Sequence, residues 1–251
     1  MDESSIYIAA HQDRHCVRAM NNLIELKFKK TDQHYFDWSV GEFRELATAT
    51  QELLNQRNMM GEILKQIKKN LYNYLGSSKV LVQSNLYLRC SRPKNPDKQE
   101  SIGFHRESFY GENMEKSVNV WTPIKGVTSE NTLRYVPKSQ NIAAADIITE
   151  HEDDEYTDQF SDGHKLGFLY RPKKIIGGVD LESSQPMTVK KFSSAFFSGD
   201  LIHGAAINRS SHIRFSVDFR IIRECDYSCR NKEFHFSSGK PYFIKMKDII
   251  G

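Results

Sequence analysis

Long apolar runs are missing from this chain: nowhere does it approach the roughly 18 consecutive apolar residues that a membrane-spanning helix requires. No membrane partner is expected. Cysteine is sparse, with only Cys16, Cys90, Cys225 and Cys229 in 251 residues. That number is too small and too scattered for a disulfide framework, and the Cys225/Cys229 spacing matches no zinc site, so reduced thiols are expected. An excess of one charge is also absent. The 35 basic and 32 acidic residues are interspersed and leave a formal net charge of +3, so no basic stripe is available for a phosphate backbone and no nucleic-acid partner is expected. The start of the chain, Met1 to Ser5, is acidic and polar, without a positive segment or an apolar stretch behind it, and a cytoplasmic protein is expected. With 39% hydrophobic and 27% charged residues, the composition suits a globular protein with a sizeable core. No internal repeat is visible, and one domain is the expectation at this length.

What is present divides into two textures. Residues 6–38 mix short apolar runs with polar breaks and read as a strand plus a short helix. Over residues 39–75, Phe43, Leu46, Leu53, Leu54, Met60, Ile63, Leu64, Ile67, Leu71 and Leu75 recur largely at three- and four-residue intervals. That is the stripe of an amphipathic helix, long enough to be two helices broken near Asn58, with Gly76 as its stop. Beyond Gly76 the pattern becomes short β-like segments at 79–90, 117–124, 132–136, 188–197, 213–222 and 242–246. Helices followed by many strands suggest a sandwich or barrel with helices packed on it. Residues 139–184 form a polar stretch with an acidic run at Glu150, Glu152, Asp153, Asp154 and Glu155. A connection that long is commonly a lid, a binding loop or a locally disordered segment.

Two motifs carry chemistry. In Gly103-Phe104-His105-Arg106-Glu107 an imidazole and a carboxylate stand two residues apart, and on extended backbone they point to the same side. With a third ligand from elsewhere they form a two-histidine, one-carboxylate face that leaves metal positions open, a set suited to Fe(II). His203 is the best third ligand, since it precedes Gly204 and two alanines, where the backbone can approach a buried site. A zinc hydrolase uses the same ligand types. In the second motif, residues 213–221, polar and apolar side chains alternate, which puts Arg214, Ser216, Asp218 and Arg220 on one face of a strand. In an enclosed site the planar Arg214 fork suits a carboxylate, with the Ser216 hydroxyl beside it. A half-buried strand with a solvated face shows the same alternation. His151, His164 and His212 sit in polar surroundings, and His11, His15, His34 and His235 carry no supporting pattern.

Taken together, three blocks resemble the phytanoyl-CoA dioxygenase-like branch of the 2-oxoglutarate oxygenases. They are G-F-H-R-E at residues 103–107, the tryptophan-bearing strand and E-N-T-L turn within residues 118–140, and residues 197–216, where His203 is followed by Arg214 and then Ser216. The resemblance spans residues 79–222. The family pattern is departed from at Glu107, where aspartate is more usual, at Thr132 in place of glycine, and at Lys138-Ser139-Gln140 in place of G-S-H. Because a carboxylate is kept, the halogenase variant of the family is disfavoured.

The resemblance implies a mainly β fold with packed helices, a double-stranded β-helix or jelly-roll core of cupin-like type. It implies Fe(II), 2-oxoglutarate and O2, with release of succinate and CO2. His105, Glu107 and His203 fall on the metal positions, and Arg214 with Ser216 on the distal carboxylate anchor. Asn119 and Trp121 share one face of a strand that the resemblance sets beside the cosubstrate, and Arg89, on the strand leading to the metal motif, is a candidate for the proximal carboxylate. One oxygenase domain over 1–251 is expected: 1–78 as largely helical support, 79–222 as the core with 139–184 as lid or insert, and 223–251 as a C-terminal extension. The expected reaction is hydroxylation of an unactivated C–H bond in a small molecule of a natural-product, sugar or lipid-like pathway. The alternatives are a cupin-like metal-dependent isomerase or hydrolase, and a non-catalytic β-helix binding module. Oligomeric state is not legible in the sequence.

Overall fold

The computed structural model describes residues 5–29, 32–94, 102–150, 174–228 and 241–251. Strand β1 (Tyr7–Ala10) is followed by helix α1 (His15–Lys27), which is longer than the short helix expected there. The amphipathic stripe forms two helices, α2 (Val40–Gln56) and α3 (Met59–Leu75). Ser39 and Glu42 close a reciprocal capping box at the start of α2. The break falls at Asn58, which takes the left-handed conformation (φ 50°) and accepts from the Gly61 N–H to cap α3. Gly76 (φ 64°) ends α3 in the same left-handed region.

The strands that follow are β2 (Val80–Gln83), β3 (Tyr87–Ser91), β4 (Val118–Lys125), β5 (Leu133–Tyr135), β6 (Ile148–Glu150), β7 (Lys174–Gly177), β8 (Gln185–Pro186), β9 (Ser193–Ser198), β10 (His203–Ala205), β11 (Arg214–Arg223) and β12 (Phe243–Lys245). Short helices α4 (Glu112–Glu115) and α5 (Lys247–Ile250) complete the elements used below. Two expectations need correction. The segment 79–90 is two strands, because the Asn55 side chain on α2 bonds both the N–H and the carbonyl of Leu86 and takes that residue out of the ladder. The segment 188–197 begins its strand only at Ser193, after Phe192 in the left-handed region (φ 66°). The polar connection 139–184 contains the paired strands β6 and β7, while residues 151–173, with His151, His164 and most of the acidic run, lie outside the described residues, as do His235 and Cys229. Cys16, Cys90 and Cys225 are in no disulfide.

The larger sheet runs β1-β9-β4-β11-β2-β12, with β3 also pairing β11, and the smaller runs β10-β5-β8. All of their pairings are antiparallel. The two sheets face each other as a double-stranded β-helix. Trp121, Ala195 and Phe197 of the larger sheet form one cluster with Met187 and Leu201, and Leu133 and Tyr135 of the smaller sheet pack against it. On β11 the period of two divides the side chains. Phe215, Val217, Phe219 and Ile221 join Val118, Val120 and Ile124 of β4 against Met20, Ile24, Leu64 and Ile67 of the helices. Each such buried side chain contributes about 1.5–3 kcal/mol. The alternate residues Arg214, Ser216, Asp218 and Arg220 turn into the barrel, opposite Pro123, Trp121 and Asn119 of β4 and Ser91, Arg89 and Tyr87 of β3. The β4 ladder shifts register between Phe215 and Ser216. Gly126 (φ 67°) allows this end of β4 to lie close, since a Cβ there would stand 2.2 Å from the Ile213 carbonyl oxygen.

His11, which carried no pattern in the sequence, closes a polar chain under α1: Nε2 meets Ser194 Oγ at 2.8 Å, Ser194 Oγ meets Thr122 Oγ1 at 2.7 Å, and Nδ1 lies 3.4 Å from Cys16 Sγ. Burial pushes the His11 imidazole down to about 4 against the opposing pull of Asp13. A histidine whose folded value lies below its unfolded value adds stability that is full above the unfolded value and lost as pH falls towards the folded one. Denaturant unfolding is therefore expected to show wild-type stability declining between about pH 6.5 and pH 4 more steeply than that of His11→Gln, and parallel profiles would contradict the assignment.

Candidate metal and cosubstrate site

The site is built where two distant segments meet as a single antiparallel bridge. His105 and His203 each donate a backbone N–H to the other's carbonyl, at 2.9 and 3.0 Å. Gly204 permits the contact: a Cβ there would lie 2.8 Å from backbone atoms of Gly103 and Phe104. The two rings stand 4.5 Å apart between centroids. Arg106 is extended (φ −128°, ψ 152°), so His105 and Glu107 project to the same side as the spacing predicted. The Arg106 guanidinium turns the other way and donates to the carbonyls of Asp200 and Ile142, while the Glu107 N–H is bonded to the Gly199 carbonyl at 2.7 Å. Three buried side chains, His105, Glu107 and His203, thus bring one ligand atom each to within 4.8 Å of one another.

The backbone also sets the tautomers. His105 Nδ1 lies 2.8 Å from the Gly103 carbonyl and His203 Nδ1 lies 2.8 Å from the Leu201 carbonyl. A carbonyl only accepts, so each Nδ1 carries the proton and each Nε2 carries the lone pair a metal needs. Burial lowers the His203 imidazole and outweighs the opposing pull of Glu107. For Glu107 burial works upward, but the Arg220 guanidinium outweighs it and, with the histidines, holds the carboxyl down to about 2. The two tautomers therefore turn both Nε2 atoms, and Glu107 its carboxylate, towards one point.

Beside this triad the inner face of β4 and β11 gathers the other residues singled out in the sequence. Arg214, Ser216, Asn119 and Trp121 are all buried. Arg214 Nη1 donates to the Asn131 carbonyl at 3.0 Å, but among the described residues Arg214 Nε, Ser216 Oγ, Asn119 Nδ2 and Trp121 Nε1 have no hydrogen-bond partner. Burial pushes the Arg214 guanidinium down to about 10. Each buried donor left unsatisfied costs about 1–3 kcal/mol, so four of them on one wall mark a place for a ligand rich in acceptor oxygens. Arg89, the candidate for the proximal carboxylate, lies opposite Ser216, and its guanidinium is engaged by Asp218, with Nε to Oδ1 at 2.6 Å and Nη2 to Oδ2 at 3.1 Å.

Two residues that shape the site were given no role there from the sequence. Asn131 supplies the carbonyl that holds Arg214, and its own side chain is fixed by Gly126, Thr128 and Ser210. Its presence in the E-N-T turn was the available signal. Arg220 grips Glu107 through two hydrogen bonds, Nε to Oε2 at 2.7 Å and Nη2 to Oε1 at 2.9 Å. The alternation along β11 put Arg220 on the correct face, but its partner is distant in sequence.

A family model, phytanoyl-CoA dioxygenase, matches residues 10–216. No curated protein matches the chain. Among solved structures, the epimerase SnoN in complex with Fe3+, alpha ketoglutarate and nogalamycin RO superposes with a TM-score of 0.54 at 11% identity, covering 97% of this chain and 94% of that one. AviO1 from Streptomyces viridochromogenes Tue57 gives 0.54 at 10% identity over 90% and 92% of the two chains. The non-heme monooxygenase ThoJ in its apo form gives 0.51 at 11% over 88% and 75%. At these identities the likeness is one of fold. No helix among the described residues is long and apolar enough to cross a membrane.

The close strand contact at Gly204 is directly testable. Gly204→Ala is expected to weaken Mn(II) binding to the metal-free protein by about tenfold or more, the usual scale for disturbing the support of metal ligands. Calorimetric titration would measure it, and an unchanged affinity would show that this contact does not set the imidazole positions.

Proposed function

Because the chain belongs to the phytanoyl-CoA dioxygenase family, we propose that it is an Fe(II)- and 2-oxoglutarate-dependent oxygenase acting on a small molecule. His105, Glu107 and His203 hold the metal in this reading, and Arg214 with Ser216 holds the distal carboxylate of 2-oxoglutarate. Residues 1–251 act as one catalytic unit. The observation that carries the reading is a set of four buried donors without a partner among the described residues, Arg214 Nε, Ser216 Oγ, Asn119 Nδ2 and Trp121 Nε1, on the wall beside a buried His/Glu/His cluster. A dicarboxylate has the acceptor oxygens to satisfy them. A metal isomerase or hydrolase would have no use for a buried guanidinium lacking a carboxylate, and among the described residues Arg214 bonds only a backbone carbonyl.

When bound, iron supplies the oxidising power of O2 coupled to decarboxylation of 2-oxoglutarate to succinate and CO2. The chain's own residues set where that power is applied. Arg214 and Ser216 fix one end of the cosubstrate, and Asn119 and Trp121 are placed to meet its remaining oxygens. Arg89 is turned towards the same interior but is occupied by Asp218, so its part is to complete the wall. Trp121, Phe197 and Leu201 keep the cosubstrate side dry, which strengthens each polar contact made there. Hydroxylation of an unactivated C–H bond is the reaction we assign. SnoN, an epimerase crystallised with Fe3+ and alpha ketoglutarate, shares the fold, so epimerisation is the outcome to compare in a product assay.

The test is anaerobic addition of Fe(II) and then 2-oxoglutarate, followed by visible absorption for the metal-to-ligand charge-transfer band. The wild type is expected to show the band, His203→Ala to lose it and Arg214→Met to weaken it. Arg214→Met without 2-oxoglutarate is expected to melt at or above the wild-type temperature, because it removes a buried charge that has no acidic partner. Metal binding without a band at saturating 2-oxoglutarate would replace this reading with the isomerase or hydrolase.

A further inference from the structure

We propose that Arg220 is a positioning residue for the metal-site carboxylate, clamping Glu107 so that one oxygen, Oε1, is presented to the two imidazoles. The proposal rests on the reading of His105, Glu107 and His203 as metal ligands. Oε1 is the oxygen that lies 3.7 Å from His203 Nε2. Arg220 meets it with Nη2 at 2.9 Å and meets Oε2 with Nε at 2.7 Å, a planar fork on a planar carboxylate. Glu107 is fully buried and Arg220 nearly so, so water does not compete for either oxygen.

Arg220 is itself held in place. Its backbone N–H and its Nη1 both donate to Gln83 Oε1, at 3.1 and 3.3 Å, and Nη1 reaches the Tyr242 hydroxyl at 3.4 Å. Its Cα is locked in the middle of β11, paired with Asn119 of β4. The neighbouring residue Ile221 pairs Val82 of β2, and β2 in turn pairs β12, the strand that follows Tyr242. A chain of bonds therefore runs from the C-terminal strand to the ligand. Both Arg220 and Tyr242 lie beyond the residues 10–216 that the family model matches.

A buried ion pair adds little net stability relative to apolar side chains of the same volume, so stability does not account for this pair beside a ligand. Geometry does. A glutamate has one more rotatable bond than an aspartate and can swing to grip a metal through both oxygens, closing a position that a bidentate 2-oxo acid needs. The Arg220 fork removes that freedom. A lysine at the same place would offer a point charge without the fork.

Two measurements test the proposal. The first is the crystal structure of the wild-type protein with Mn(II) and 2-oxoglutarate. One Glu107 oxygen is expected at about 2.0–2.2 Å from the metal, with Arg220 still bonded to the other. Chelation through both oxygens, or an Arg220 side chain displaced from Glu107, overturns the proposal while leaving the triad standing. Absence of metal from the histidines overturns the triad reading and the proposal together. The second is calorimetric titration of Mn(II)-loaded Arg220→Gln and Arg220→Lys with 2-oxoglutarate, on protein whose fold is verified by circular dichroism. Both variants are expected to bind 2-oxoglutarate at least about tenfold more weakly, with a smaller change in Mn(II) affinity. A purely structural role would lower the melting temperature and leave the 2-oxoglutarate affinity of the metal-loaded protein at the wild-type value, which overturns the proposal.

Discussion

The antiparallel bridge between His105 and His203 is the contact on which the rest of the site depends. It joins the segment before α4 to β10, so the two imidazoles are spaced by backbone hydrogen bonds of 2.9 and 3.0 Å rather than by side-chain packing. Once that spacing is fixed, the extended Arg106 delivers Glu107 to the same side, and the carbonyls of Gly103 and Leu201 select the tautomer of each ring. Main-chain contacts thus orient both imidazoles, while the Arg220 side chain holds the Glu107 carboxylate, so the ligands are set in place before a metal binds.

Among the described residues, Arg89, Arg214, Arg220, Asp218 and Glu107 charge the interior of the barrel unequally. Arg89 is matched by Asp218 and Arg220 by Glu107, whereas Arg214 has a carbonyl and no acid. Removing a charge from water without an acidic partner is expensive, and the fold bears that cost at one point on β11. The outer face of the same strand carries Phe215, Val217, Phe219 and Ile221 into the helical layer. One strand therefore anchors the core with one face and builds the cosubstrate wall with the other, and the strain of the wall is offset by burial behind it.

Much of this was legible in the sequence because it follows from periodicity. The stripe over 39–75 yielded two helices with the break at Asn58, and the alternation at 213–221 placed Arg214, Ser216, Asp218 and Arg220 on one face. The H-x-E spacing and the distance to His203 became meaningful as a set, through the resemblance, and not as separate motifs. What the sequence did not disclose depends on long-range contacts. Nothing local says that Arg220 will find Glu107, that Asp218 will occupy Arg89, or that the Asn55 side chain will split 79–90 into two strands. Nor does any local pattern put His203 on a strand. The strand exists because Gly204 lets a partner backbone approach.

The central claim is that the wall formed by Arg214, Ser216, Asn119 and Trp121 is made for a dicarboxylate beside a metal. The most direct measurement is a comparison, by calorimetry on the Mn(II)-loaded wild-type protein, of 2-oxoglutarate with 2-oxopentanoate, which keeps the 2-oxo acid and replaces the distal carboxylate by a methyl group. Loss of a charge-assisted hydrogen-bond pair is worth roughly 2–3 kcal/mol, or about 30- to 150-fold in affinity, and 2-oxoglutarate is expected to bind more tightly by that factor. Equal affinities would mean that Arg214 does not read the distal carboxylate, and the account of the site would fail.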